Sequence, residues 1–386
     1  MQVKNILPLA MASTAAAQNL TAALASQNNT LSALTTLLGS QPGLVSSLSQ
    51  AQNLTILAPS NDALEAFLQS PGAAEAATDA GLIAAILQYH VLNGTYYASN
   101  FTDEPQFIHT LLQNQTYANV TEGQVVQAQT VDGNVHFFSA LRENSTVTEA
   151  NVTFDAGVIH IIDKVLTLPL SINETLRAAN LTAALGAIQA ANVSSALAEA
   201  EDLTIFIPNN DAFNAIGNLT ANLTSELPNI LQYHVVAGSV LYSTDISGNT
   251  SVATLQGSNV TVQVIDDNVY VNEAKVVIPN ILIANGVVHV IDGVLNPNDT
   301  SAEPDTTAST RPPAFTGAGT ATDGGNPFTS GVTGPTSTAP IATETGDSAG
   351  GGGVQSTTTS PDAAPMRTAA VGAAALFGGM AAVMNM

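Results

Sequence analysis

The sequence predicts two tandem copies of one mixed α+β domain, followed by a stalk with no fold of its own. Three observations carry this. Three segments recur in the same order, helix-patterned stretches precede strand-patterned ones in each copy, and the composition changes near residue 298.

The recurring segments are LTILAPSNDALEAF (54–67) with LTIFIPNNDAFNAI (203–216), LQYHVLNGTYYAS (87–99) with LQYHVVAGSVLYS (231–243), and GVIHIIDKVL (157–166) with GVVHVIDGVL (286–295). A weaker pair, NLTAAL at 19–24 and 180–185, opens each copy. The offset between copies shrinks from 161 residues at the start to 129 at the end, so the first copy holds the longer loops between shared anchors. Anchors kept while loops vary indicate one fold used twice. Specific contacts are expected from those longer loops rather than from the shared residues.

Each anchor has a local physical meaning. Leu54–Ala58 is a β-rich apolar run closed by Pro59, which cannot donate to a ladder. Ser60-Asn61-Asp62 and Asn209-Asn210-Asp211 offer capping oxygens and a negative first turn to the helices that follow. Helices ending at Tyr89 and Tyr233 pass straight into His-Val. Two hairpins turn at Asp132-Gly133 and at Asp266-Asp267-Asn268. Gly157–Leu166 is apolar on both faces, the mark of a buried central strand.

The order TxxxPxNDA, then LQYHV, then GVxHxID-VL resembles that of the fasciclin-like domain family, over about residues 19–168 and 171–297. The resemblance implies a twisted β-sandwich or wedge with helices packed around one side. It also implies adhesion as the activity linked to two motifs in animal members. Carried over by residue, these are Tyr89-His90 and Tyr233-His234, and Asn280-Ile281 after Pro279. Animal motifs place an acidic residue where Asn280 stands, and the first copy reads Phe154-Asp155-Ala156 at the corresponding place. Tandem copies, signal peptides and lipid anchors are common in the family, and the cysteine-free form with a Ser/Thr-rich stalk is most similar to fungal members.

The chain reads as residues 1–17 signal peptide, 18–169 first domain, 170–297 second domain, 298–353 stalk and 354–386 anchor propeptide. Residues 1–17 carry one lysine, a short apolar stretch and an Ala-x-Ala site. At the other end, small residues from Ser348 to Gly353, a polar spacer and an uncharged apolar tail follow the order of a glycosylphosphatidylinositol (GPI) signal, with Gly350, Gly351, Gly352 and Gly353 as attachment candidates. The stalk is rich in Thr, Ser, Gly and Pro and cannot bury enough apolar surface to offset chain entropy. Such segments outside the cell carry O-linked sugar.

The 386 residues carry a net charge of −23 with seven lysines and arginines, which excludes the clustered cations a nucleic-acid binder needs. Cell-wall or matrix glycans, or surface proteins, fit better. There is no cysteine, so disulfides, thiolate metal sites and a cysteine nucleophile are excluded. Solvation is expected to come from sugar. Asn-x-Ser/Thr sequons stand at Asn19, Asn28, Asn53, Asn93, Asn100, Asn114, Asn119, Asn144, Asn151, Asn173, Asn180, Asn192, Asn218, Asn222, Asn249, Asn259 and Asn298.

His90, His160, His234 and His289 recur as one pair per copy. The alternating pattern places His160 with Val158 and Ile162, so buried, hydrogen-bonded structural histidines are expected rather than a metal site or general base. No third ligand recurs beside them, and no nucleophile elbow, His-Glu-x-x-His motif, calcium loop or phosphate-cradling loop is present. The reading is therefore a non-enzymatic adhesion or wall-interaction protein on the outer face of a membrane, without cofactor or metal. A second reading is a non-catalytic accessory of a secreted, laccase-type oxidase in pigment or polyketide synthesis.

Overall fold

The computed structural model describes residues 18–76, 78–306, 314–320 and 326–334. The expected signal peptide, the attachment glycines and the anchor propeptide lie outside the described residues.

The first domain opens with helices α1 (Leu20–Ser26), α2 (Asn28–Gly39) and α3 (Pro42–Gln50). Strand β1 (Leu54–Pro59) leads into α4 (Asn61–Leu68), α5 (Pro71–Ala76) and α6 (Ala80–Tyr89). The remaining strands are β2 (Val91–Asn93), β3 (Gln106–His109), β4 (Val125–Val131), β5 (Asn134–Phe138), β6 (Asn144–Phe154) and β7 (Gly157–Ile162). The second domain repeats this with α7 (Ile172–Ala178), α8 (Thr182–Ala190), α9 (Ser194–Glu199), β8 (Leu203–Pro208), α10 (Asn210–Asn214), α11 (Thr220–Leu223) and α12 (Leu227–Tyr233). It finishes with β9 (Val235–Val236), β10 (Asn249–Ala253), β11 (Asn259–Ile265), β12 (Asn268–Val271), β13 (Ala274–Ile283) and β14 (Gly286–Ile291).

Each domain is a wedge built on one seven-stranded sheet, ordered β2-β1-β7-β6-β5-β4-β3 and β9-β8-β14-β13-β12-β11-β10. In the first domain a bridge between Leu92 and Thr110 brings β2 beside β3, so the sheet curls almost closed. The central pairs β1/β7 and β8/β14 are parallel, and every residue of β1, β8 and β14 is buried, which explains their unbroken apolar runs. One core lies between helices and sheet, where Leu31, Leu34, Ile56, Ile159 and Ile161 meet. A second fills the curl with Leu57, Tyr89, Phe101, Phe137 and Ile162. The hairpin turns have the left-handed backbone that the two-residue connection demands, with φ of 52° and 80° at Asp132-Gly133 and 49° and 62° at Asp266-Asp267.

The expectation that chain order ends near residue 297 needs correction. Beyond the β14 strand, Asn296 Nδ2 donates to the Ala314 carbonyl at 2.8 Å, and Phe315 is buried against the helical core of the second domain. Phe328 meets Phe213 edge-on with ring centroids 6.1 Å apart, and Val332 packs against the same core. Asn218 clasps the segment from the side: its Nδ2 donates to the Gly317 carbonyl at 3.0 Å and its Oδ1 accepts from the Gly319 amide at 2.7 Å. Burying a phenylalanine is worth about 2–3 kcal/mol, so the two rings and the backbone hydrogen bonds act together against the entropy of ordering this short strap.

The strap approaches α8 so closely that a methyl group on Gly186 would overlap the carbonyl oxygen of Phe328. Gly186→Ala therefore separates two effects. With the strap docked, the variant is expected to lose amide protection in 314–320 and 326–334 in hydrogen exchange and about 1–2 kcal/mol of second-domain stability. Were the strap undocked, alanine in place of a mid-helix glycine would stabilise α8 by up to about 1 kcal/mol.

Candidate functional site: a histidine frame and the domain junction

The four repeated histidines are all buried. His90 is the residue on which α6 ends. Its Nδ1 lies 2.7 Å from the Ile86 carbonyl and its Nε2 accepts the Leu166 amide at 2.9 Å. His234 does the same at the end of α12, with the Ile230 carbonyl at 2.8 Å and the Leu295 amide at 2.9 Å. Each ring therefore carries its proton on Nδ1 and staples a helix end to the chain leaving the last strand. His160 and His289 have the opposite tautomer. Their Nε2 atoms lie 2.8 Å from the Tyr96 and Leu241 carbonyls, and their Nδ1 atoms accept from the Asn151 and Asn280 amides at 3.4 and 3.3 Å.

Both nitrogens of all four rings are thus engaged in the neutral form. Desolvation holds His90, His234 and His289 down at about 4, against weaker support from the Ile86, Ile230 and Leu241 carbonyls, and lowers His160 as well. Among the described residues no group of three or more His, Asp or Glu side chains could hold a metal ion. These rings have neither a lone pair to offer a ligand nor a proton to exchange near neutral pH.

The tyrosines that precede the helix-end histidines are fully buried. Tyr89 donates its hydroxyl to the Val125 carbonyl at 2.9 Å, and Tyr233 donates to the Asn259 carbonyl at 3.0 Å while accepting from Asn272 Nδ2 at 2.9 Å. Burial pushes both phenols up. Asn280 and Ile281 are buried too, at 2% and 0% exposure. All six residues to which the family's adhesion motifs map are therefore frame residues in this conformation, without surface to offer a partner.

Asn280 has a counterpart in the first domain, six residues before the glycine that opens the last strand in both copies. It is Asn151, and not the Phe154-Asp155-Ala156 stretch. Both asparagines sit in a bulge of the long strand, between Ile278 and Ile281 of β13 and between Glu149 and Val152 of β6. Both have left-handed backbones, with φ of 59° and 64°. Their side-chain oxygens accept the Ser243 and Ala98 amides, each at 2.9 Å, and their own amides bond the strand histidine. Each bulge fixes a strand histidine and the short turn above it as one unit.

A further pair was read as part of a capping cluster and does something else. Ser60 and Asn209 are the caps, accepting the Ala63 and Ala212 amides. Asn61 and Asn210 reach across to the preceding helix instead. Asn61 accepts the Ala33 amide at 2.9 Å and donates to the Asn29 carbonyl at 3.0 Å, while Asn210 pairs with Ala183 and Asn180 at 3.1 and 2.8 Å.

The longer loops of the first copy do make specific contacts, and the partner is the second domain. The connection from β3 to β4 carries Asn119, whose amide donates to the Ala284 carbonyl at 2.7 Å and whose Nδ2 reaches the Glu199 and Ala200 carbonyls at 3.3 Å. Thr121 gives its amide and hydroxyl to the Asp202 carboxylate at 2.8 and 2.5 Å. Gln124 donates to the Ile283 carbonyl at 3.1 Å, and Phe107 stacks flat on Tyr242, centroids 4.1 Å apart at 10°. In the second domain the equivalent connection, between Ala253 and Asn259, is far shorter.

This arrangement defines a tandem-domain scaffold whose repeated ionisable groups build the frame. The chain belongs to the fasciclin domain family: the fasciclin domain model matches residues 29–169 and 179–297. A fasciclin-like arabinogalactan protein of Arthroderma benhamiae is 37% identical over 324 residues, covering 83% of this chain and 76% of that protein. The fasciclin-like arabinogalactan protein elcF of Phaeosphaeria nodorum is 31% identical over 275 residues, covering 70% and 86%. Among solved structures, a FAS1 domain pair from the insect cell adhesion molecule fasciclin I aligns with a TM-score of 0.34 and 18% identity, over 70% of this chain and 97% of that one.

Proposed function

We propose that this chain is a non-enzymatic cell-surface glycoprotein that acts by adhesion or by contact with cell-wall or matrix glycans. The observation that carries the reading is the fate of the repeated ionisable residues. The fold shared by both copies is held by neutral, fully bonded histidines, which leaves none of them free to act as a repeated base or metal ligand. The names of its relatives, fasciclin-like arabinogalactan proteins, support the surface role.

The chain is secreted by its amino-terminal signal and tethered through a lipid near Gly350–Gly353, with the stalk as a spacer. Beyond the docked strap, the roughly twenty residues from 335 to Gly353 at about 3 Å each set an upper reach on the order of 60 Å, which holds the domain pair off the bilayer. Weak contacts then gain from the many copies on one surface. No described helix is long and apolar enough to cross a membrane, and a lipid anchor requires none.

Deleting the coding sequence tests this reading. Cells lacking the protein are expected to attach and aggregate less and to change in wall properties. Unchanged attachment and wall, together with co-purification of a secreted oxidase, would replace it by the accessory reading.

A further inference from the structure

Asp202 and Tyr242, by which the second domain holds the first, have equivalents on the first domain, and the surroundings of the two pairs differ in their capacity to carry sugar. The hydrogen bonds of the frame fix the correspondence. Asn53 and Asp202 precede β1 and β8, have φ of 58° and 52°, and accept the Gly94 and Ser239 amides through their carbonyls. Asn100 and Asp245 each accept, through a side-chain oxygen, the amide of the tyrosine three residues earlier, Tyr97 and Tyr242. Asn151 corresponds to Asn280, as above, and Asn93 to Ala237-Gly238.

In the first domain all four positions are exposed and all four are sequons: Asn53-Leu-Thr, Asn93-Gly-Thr, Asn100-Phe-Thr and Asn151-Val-Thr. In the second domain none is. Two sequons are lost by a single exchange of Asn for Asp, with the hydroxyl residue kept (Asp202-Leu-Thr, Asp245-Ile-Ser), and a third by Leu282 where Thr153 stands. The bonds recorded for Asn100 and Asn151 use only the side-chain oxygen, which aspartate also has. What separates the two residues is Nδ2, the atom that carries an N-glycan. The tyrosines follow suit: Tyr242 is stacked in the junction, whereas Tyr97 is 44% exposed.

One sequon breaks this division. Asn119-Val-Thr121 lies in the junction, and both its asparagine amide and its threonine hydroxyl are bonded to the second domain. A sugar on Asn119 Nδ2 would have to occupy the space of the Glu199–Ala200 backbone.

We propose that N-glycans on Asn53, Asn93, Asn100 and Asn151 clad this face of the first domain, while Asn119 stays bare and serves as the latch between domains. A bare face of this kind, self-similar to one that already binds a fasciclin domain, would invite head-to-tail association, which has no closing symmetry. Sugar confines the arrangement to a pair.

Glycopeptide mapping of the protein purified from its native surface tests this, with enzymatic deglycosylation in heavy-oxygen water to mark each occupied asparagine. Majority occupancy is expected at three or more of the four sites, with no sugar at Asn119. Sugar on Asn119, or occupancy at fewer than three of the four while exposed sequons such as Asn19 and Asn222 are modified, overturns the inference. The inference rests on the chain being a secreted glycoprotein. A protein bare at every sequon would sink that reading too, so the two failures are distinguishable.

Discussion

Lowering the pH from 7 to 5 is expected to destabilise both domains, the second more than the first. An unfolded histidine takes up its proton near pH 6.5, whereas burial holds His90, His234 and His289 down at about 4. Between those values the unfolded chain binds more protons than the native one, so stability rises with pH. The contribution is fully present above pH 6.5 and is lost as the pH falls towards 4. The slope is about 1.4 kcal/mol per pH unit for each such histidine, or about 2 kcal/mol each by pH 5. The second domain has two of these histidines. The first has His90 and the less deeply lowered His160. Urea unfolding at pH 7, 6 and 5 measures the loss above the range where most carboxylates titrate. A midpoint that does not move across that range contradicts the account.

The second large effect comes from the glycines that open β7 and β14. A methyl group on Gly157 would overlap the carbonyl of Leu54, and one on Gly286, which has φ of 150°, would overlap that of Leu203. Both carbonyls belong to the parallel central pair, where strands cannot part without breaking a buried ladder. Gly157→Ala and Gly286→Ala are each expected to cost more than about 3 kcal/mol in the affected domain, read as loss of its unfolding transition or failure to be secreted. Gly133→Ala is the control. It has a left-handed backbone but open space around it, so about 1 kcal/mol is expected. A loss at Gly157 or Gly286 no larger than that at Gly133 would show that close approach is not what these positions require.

Much of the frame was legible in the sequence because it is written in local patterns. The apolar runs of β1, β8 and β14, the Asp-Gly turn and the alternation that buries His160 and His289 each need only a few neighbouring residues to be read. What was missed depends on partners far along the chain. Asn61 follows a serine that caps a helix, and nothing nearby shows that its own amide bonds a helix about thirty residues earlier. Asn151 and Asn280 share the 129-residue offset of the strand that follows, but alternation does not show that each sits in a bulge and bonds a turn 53 or 37 residues earlier. The strap was read as structureless because composition averages over Phe315 and Phe328, the two side chains that anchor it. The extra length of the first copy was visible, but its target was not: the connection carrying Asn119, Thr121 and Gln124 finds the second domain only once both sheets have curled.

The central claim is that the residues shared by both copies form a neutral, closed frame and leave contact with partners to other surfaces. Nitrogen-15 NMR of the histidine rings tests it most directly. At pH 7, His90 and His234 are expected to be protonated on Nδ1, and His160 and His289 on Nε2, with His90, His234 and His289 staying neutral down to pH 5 while the protein stays folded and His160 titrating below the ordinary imidazole range. A native-state titration near pH 6.5 in any of them, or a ring with a free nitrogen, would contradict the account and reopen the frame as a site for chemistry.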